Sequence, residues 1–100
     1  MNERFESVAV LGGGAWGTAL AQVAAAAGRR VTIWALEAEV VEAVNIRHEN
    51  LLFLPGIPLS SAIVATGLLR EAANAELLLA APPAQHMRAV LRDLAPHLPP

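Results

Sequence analysis

The 100-residue sequence predicts an α/β fold, a parallel β-sheet with helices on both faces, on the strength of three features. Short β-branched or apolar runs alternate four times with segments of helical periodicity, the pattern that crossover-connected parallel strands require. A cluster of glycines, Gly12-Gly13-Gly14 and Gly17, separates the first strand from the first helix. The composition, 55% apolar and 16% charged, supplies one core and leaves no residues for a second. Such crossovers are right-handed, and the predicted strand order is 3-2-1-4, as in the corresponding part of a doubly wound sheet.

Ser7 to Leu11 is a short apolar run that fits a strand buried on both faces. From Ala15, the apolar positions Trp16, Ala19, Leu20, Val23, Ala24 and Ala27 recur at three- and four-residue steps and predict one inward helical face, with Gly28 as the stop. Arg30 to Ala35 is the second strand and Ala38 to Arg47 the second helix, with Val40, Val41 and Val44 inward. Asn45 and Asn50 bracket its exit. His48 to Ser61 contains Pro55, Gly56 and Pro58 and has no sustained periodicity, so it reads as a long connection with a functional role. The third unit, Ala62 to Ala73, carries the weakest pattern. Glu76 to Ala81 is the fourth strand, followed by a Pro82-Pro83 break and a helix in which Met87, Val90, Leu91 and Leu94 repeat at i, i+3, i+4 and i+7.

Charge and composition exclude several classes. A net charge of -2 and a pI near 5.8 provide no basic field for nucleic acid or for anionic lipid. With no cysteine there is neither a disulfide framework nor a thiolate metal site, a composition that suits the cytosol. His48, His86 and His97 have no second ligand at metal spacing and predict no metal centre. The uncharged stretch from Val8 to Ala27 is no membrane span, because four glycines with Thr18 and Gln22 interrupt it. All seven basic residues are arginines, so chemistry that needs a lysine must come from outside this chain.

The glycine turn carries the chemistry. Gly12-Gly13-Gly14-Ala15-Trp16-Gly17 matches G-x-G-x-x-G between a strand and a helix, the fingerprint of a Rossmann-type dinucleotide-binding sheet. Gly12 allows the tight turn, Gly14 lets the backbone approach a pyrophosphate, and Gly17 lets helix and strand pack closely. The anion would rest on the helix N-terminus, where free N–H groups and the dipole favour negative charge without a lysine. Glu37 lies 20 positions after Gly17, where an acidic residue accepts hydrogen bonds from an adenosine ribose. It equally suits a second role, complementing with Glu39 the dipole of the second helix. A complete doubly wound fold has six strands, so the expectation is a sheet truncated after the fourth βα unit, with the fourth strand open to self-association.

The run from Val8 to Ala21, Val-Ala-Val-Leu-Gly-Gly-Gly-Ala-Trp-Gly-Thr-Ala-Leu-Ala, resembles the opening of NAD(P)-dependent glycerol-3-phosphate dehydrogenases. Val31-Thr32-Ile33-Trp34 looks like that family's second strand, and Asn45-Ile46-Arg47-His48-Glu49-Asn50 like its asparagine and His-Glu-Asn segment. Phe53-Leu54-Pro55-Gly56 resembles its aromatic-Leu-Pro-Gly, and Ala81-Pro82-Pro83 through Gln85 stands where the family has Ala-Val-Pro-Ser-Gln. The resemblance covers essentially the whole chain.

That resemblance implies an N-terminal cofactor-binding domain, here residues 1–100, whose helical substrate domain lies outside the chain. It implies NAD as cofactor, with NADP also accepted by the family, and a cytoplasmic oxidoreductase that forms homo-oligomers. The implied reaction is reversible hydride transfer between the nicotinamide and C2 of glycerol 3-phosphate, giving dihydroxyacetone phosphate, a step that supplies phospholipid synthesis. Gly12, Gly14, Ala15, Trp16 and Gly17 fall at the pyrophosphate, Leu36 and Glu37 at the adenosine, and Phe53 and Pro83 along the dinucleotide. The family's catalytic lysine has no counterpart, so no catalytic residue is assigned and the chain alone is expected to be inactive. Many bacterial members carry histidine or arginine at a position matched to Leu36 or Glu37, and His86 replaces an aromatic residue of some relatives. Trp34, on a central strand, reads as core, whereas Trp16 suits either the core or the cofactor. Other readings of the glycine turn are a hydroxyacid or nucleotide-sugar dehydrogenase and a non-enzymatic module that binds NAD. The former has no reason to carry His48-Glu49-Asn50 before Leu54-Pro55-Gly56, whereas the isolated chain, taken literally, is closer to the latter.

Overall fold

Alternation along the first strand divides the core in two. Val8 and Val10 point to one face of the sheet and Ala9 and Leu11 to the other, and all four are essentially buried, so helices cover both sides. The computed structural model describes residues 6–81 together with 89, 92, 93 and 95–97. Its strands are β1 (Ser7–Leu11), β2 (Arg30–Trp34), β3 (Ile63–Thr66) and β4 (Leu77–Ala80), all parallel, in the order β3-β2-β1-β4. This is the predicted 3-2-1-4 sheet. Leu11 stands opposite Trp34 and Ala80, and Trp34 opposite Thr66, so the C-terminal ends of the four strands finish level.

The larger half of the core joins Val8, Val10, Val31, Ile33, Ile63 and Ala65 of the sheet to Ala21 of α1 (Ala15–Ala26) and Val40 of α2 (Ala38–Glu42). The smaller half sets Ala9, Leu11 and Trp34 against Ala72 and Ala73, at and just past the end of α3 (Leu69–Ala72). Among the described residues no helix is long and apolar enough to cross a membrane. The predicted fourth helix, with Met87, Val90, Leu91 and Leu94, and the Pro82-Pro83 break lie largely or wholly outside the described residues.

Two helical expectations need correction. The inward face of α1 is Gly17, Thr18 and Ala21, with Leu20, Ala24 and Ala25 partly buried, whereas Trp16 and Val23 are 70% and 68% exposed. A helix pressed this closely on a sheet needs its smallest residues at the contact, and an alanine-rich sequence offers little contrast to show which face that is. The second helix does not continue as α-helix to Arg47. It widens after Glu42 into a π turn, Ala43–Arg47, which ends on His48 in the left-handed region at φ 53°. Over a single turn the two periods differ by less than one residue, so the apolar spacing of Val40 and Val44 fits both, and both are buried.

The π turn has a structural use. Asn45 projects from it onto β3, donating from Nδ2 to the Ala65 carbonyl at 2.9 Å and accepting the Ala65 N–H on Oδ1 at 2.7 Å. A side-chain amide thus pairs with an edge strand as a neighbouring backbone would. The connection from 48 to 61 is fastened in the same manner. Gln22 of α1 donates to the Pro58 carbonyl and accepts from the Ser60 N–H, at 3.3 and 3.0 Å. Glu49 accepts the Gly56 N–H at 2.6 Å.

Candidate functional site

Beyond the C-terminal ends of the strands lies a cleft of about 570 Å³, floored by the glycine turn. In open parallel sheets this is where ligands bind, because the crossovers on either side leave a crevice there. Gly12 donates its N–H to the Trp34 carbonyl at 2.8 Å and then turns with φ 141°, a conformation that side chains rarely tolerate. A Cβ on Gly13 would lie 2.7 Å from the Ala35 Cβ, and one on Gly17 only 2.1 Å from the Gly12 carbonyl oxygen. Both glycines are demanded by the protein's own packing. Gly14 differs, since a Cβ there would meet nothing within 4 Å. The protein's own packing therefore does not require a glycine at this position, which lines the cleft.

Gly14 is also the N-cap of α1, with no side-chain cap and no acidic residue in the first turn. Among the described residues no acceptor meets the N–H groups of Ala15, Trp16 and Gly17, and Thr18 N–H to Gly14 O, at 2.9 Å, is the first bond of the helix. An uncapped helix end of this kind favours an anion.

Leu36 and Glu37 reach the cleft from the end of β2, with Trp16 and Phe53 as its aromatic lining. Glu37 is the N-cap of α2, yet its carboxylate makes no capping bond, and only its carbonyl accepts from Val40 and Val41. Among the described residues no cation pairs with it. Arg47 lines a separate groove with Glu39 and Glu42. Arg30 begins β2, at the opposite end of the strand from the cleft.

Eight predicted site residues therefore meet around one cleft: Gly12, Gly14, Ala15, Trp16, Gly17, Leu36, Glu37 and Phe53. The ninth, Pro83, lies outside the described residues, as does His86. Trp34 is core as expected, 8% exposed, but it also forms part of the cleft wall, with its indole N–H donated to the Gly67 carbonyl at 3.2 Å. Leu69 and Asp93 line the cleft without any signal in the sequence.

Asn50 is the residue whose position sequence reasoning missed. It is 0% exposed and lies beneath the turn, donating from Nδ2 to the Gly13 carbonyl at 2.7 Å and to Thr18 Oγ1 at 2.8 Å. Its Oδ1 accepts the Phe53 N–H at 3.1 Å, and its carbonyl accepts that of Leu54 at 2.9 Å. The His-Glu-Asn segment marked Asn50 as unusual, but nothing along the chain points to partners 37 and 32 positions away.

Comparison with known proteins agrees with this geometry. Residues 7–100 match the family model described as NAD-dependent glycerol-3-phosphate dehydrogenase N-terminus. The chain is 60% identical over 98 residues to the glycerol-3-phosphate dehydrogenase [NAD(P)+] of Parvibaculum lavamentivorans, covering 98% of this chain and 29% of that protein. The crystal structure of glycerol-3-phosphate dehydrogenase from Coxiella burnetii superposes with a TM-score of 0.88 at 28% identity, over 96% of this chain and 30% of that one. The Saccharomyces cerevisiae enzyme gives 0.86 at 29% identity, over 96% and 31%. This chain thus spans just under a third of the length of these relatives. A matching glycine turn, a matching sheet and a profile that extends over the His-Glu-Asn and Leu-Pro-Gly segments leave one assignment: the chain belongs to the NAD-dependent glycerol-3-phosphate dehydrogenase family, as its N-terminal NAD(P)-binding domain.

Proposed function

We propose that the cleft binds a nicotinamide dinucleotide, with its pyrophosphate on the N-terminus of α1, its adenosine beside Leu36 and Glu37, and Phe53 along its length. The observation that carries this reading is Gly14: it caps α1 without a side chain, has open space at its Cβ position, and, among the described residues, leaves the first-turn N–H groups of the helix without an acceptor. Glu37 supports the adenosine end, since its carboxylate is free of a capping role and can accept from a ribose hydroxyl. NAD(H) is the preferred cofactor, because a 2′-phosphate would face that carboxylate, which has no paired cation among the described residues.

When bound, the dinucleotide supplies a nicotinamide that accepts or donates hydride at C2 of glycerol 3-phosphate or dihydroxyacetone phosphate. This chain's residues hold and orient it. The apolar lining from Trp16, Phe53 and Leu69 keeps water from the bound cofactor, and the fixed turn gives it one orientation. With no lysine in the sequence, proton transfer and recognition of the substrate phosphate belong to a separate substrate domain, and no catalytic residue is assigned here. We place the complete enzyme in the cytoplasm, supplying glycerol 3-phosphate to phospholipid synthesis as a homo-oligomer.

Fluorescence titration tests the reading. Trp16 is exposed at the cleft and Trp34 is buried, so a Trp34→Phe variant isolates the reporter. Saturable quenching by NADH and by ADP-ribose is expected. A signal that never saturates, or none at all, overturns the site.

A further inference from the structure

We propose that Asn50 is a positioning residue of the dinucleotide site, holding the glycine turn and the Phe53 wall in one fixed relation before a ligand arrives. The inference rests on the reading of the turn as a pyrophosphate site. A carboxamide carries two N–H donors and one acceptor oxygen, and Asn50 uses both kinds in a fully buried setting. One donor holds the Gly13 carbonyl at 2.7 Å. The other holds Thr18 Oγ1 at 2.8 Å, and the Thr18 hydroxyl in turn donates to the Gly14 carbonyl at 2.8 Å.

Peptide planarity converts these bonds into an orientation. In a trans peptide the N–H of the next residue points opposite to the C=O. With the Gly13 carbonyl drawn to Asn50, the Gly14 N–H is turned away from the interior. With the Gly14 carbonyl drawn to Thr18, the Ala15 N–H is turned out from the helix end. Asn50 thus sets one donor directly and a second through Thr18. Its remaining atom, Oδ1, holds the Phe53 N–H, so the same side chain fixes the start of the aromatic wall. Aspartate cannot satisfy all three partners: it keeps the acceptor but, when ionised, loses both donors, and it would add negative charge beneath an anion site.

The experiment measures dissociation constants for NADH and ADP-ribose in the protein and in Asn50→Ala, Asn50→Asp, Thr18→Val, Thr18→Ser and Gln22→Ala. Gln22→Ala is the control, since it removes two side-chain hydrogen bonds to the same connection at Pro58 and Ser60, away from the turn. Asn50→Ala and Asn50→Asp are expected to weaken both ligands by about tenfold or more, the scale of leaving a buried carbonyl unpaired. Thr18→Val is expected to weaken them too, while Thr18→Ser, which restores the hydroxyl, and Gln22→Ala bind as the parent does. Equal losses in Gln22→Ala and Asn50→Ala would reduce the effect to general stability and overturn the proposal, as would parent-like binding by a folded Asn50→Ala. If the Asn50 variants do not fold, the Thr18 pair decides: loss in Val with retention in Ser supports the role, and identical binding by both overturns it. Absence of binding by the parent protein is a different result, which removes the dinucleotide reading and this role with it.

Discussion

A Cβ atom on Gly17 would stand 2.1 Å from the carbonyl oxygen of Gly12, so the first turn of α1 and the end of β1 are separated by no more than a glycine permits. Gly17→Ala therefore forces backbone to move rather than a flexible side chain. The expected cost is about 3 kcal/mol, at the upper end for overpacking, and urea denaturation of the two proteins measures it.

Gly14→Ala should give the opposite signature. Gly14 has φ -74° and ψ -177°, extended backbone open to any residue, and its Cβ position is unobstructed. Stability is expected to change by less than about 1 kcal/mol, while affinity for NADH is expected to fall, since Gly14 lines the cleft and an added methyl group keeps the pyrophosphate from the backbone. Retained affinity at unchanged stability would place the pyrophosphate elsewhere.

The carboxylate of Glu37, without an ion-pair partner among the described residues, predicts a cofactor preference. NADPH is expected to bind about tenfold more weakly than NADH, since two negative groups would share a site where no described residue supplies a paired cation. Glu37→Gln should narrow the gap and Glu37→Arg should close or reverse it, as read by titration of each nucleotide. Equal binding of the two nucleotides by the parent protein would return Glu37 to the helix dipole alone.

Asn45 covers one residue of an edge strand, and its loss exposes a donor and an acceptor at once. Asn45→Ala is expected to lower stability by about 1–2 kcal/mol and to promote concentration-dependent association through β3. Thermal unfolding and sedimentation velocity report the two effects separately. A monomer of parent stability would show that the amide pair contributes nothing.

Local physics made much of this protein legible in its sequence. Strands buried on both faces must be apolar runs, a strand-to-helix turn that approaches a phosphate must be glycine-rich, and parallel strands must be joined by crossovers, so β1, the turn and the order β3-β2-β1-β4 could all be read along the chain. What depended on distant neighbours could not. Which face of α1 is buried was decided by how close the sheet lies, and it selected Gly17, Thr18 and Ala21 over the larger Trp16 and Val23. The π turn after Glu42 follows the same rule, since one turn of either helix satisfies Val40 and Val44, and in the widened form Asn45 bonds β3. Gly13 shows the difference most directly, because the motif leaves its position free and it is the Ala35 side chain, just past β2, with Val40 beside it, that leaves no room for anything larger. Asn50 is the extreme case: its sequence neighbours reveal a polar residue in a loop, and only the fold brings it under Gly13 and Thr18, where hydrogen bonds that span more than thirty positions make it part of the site.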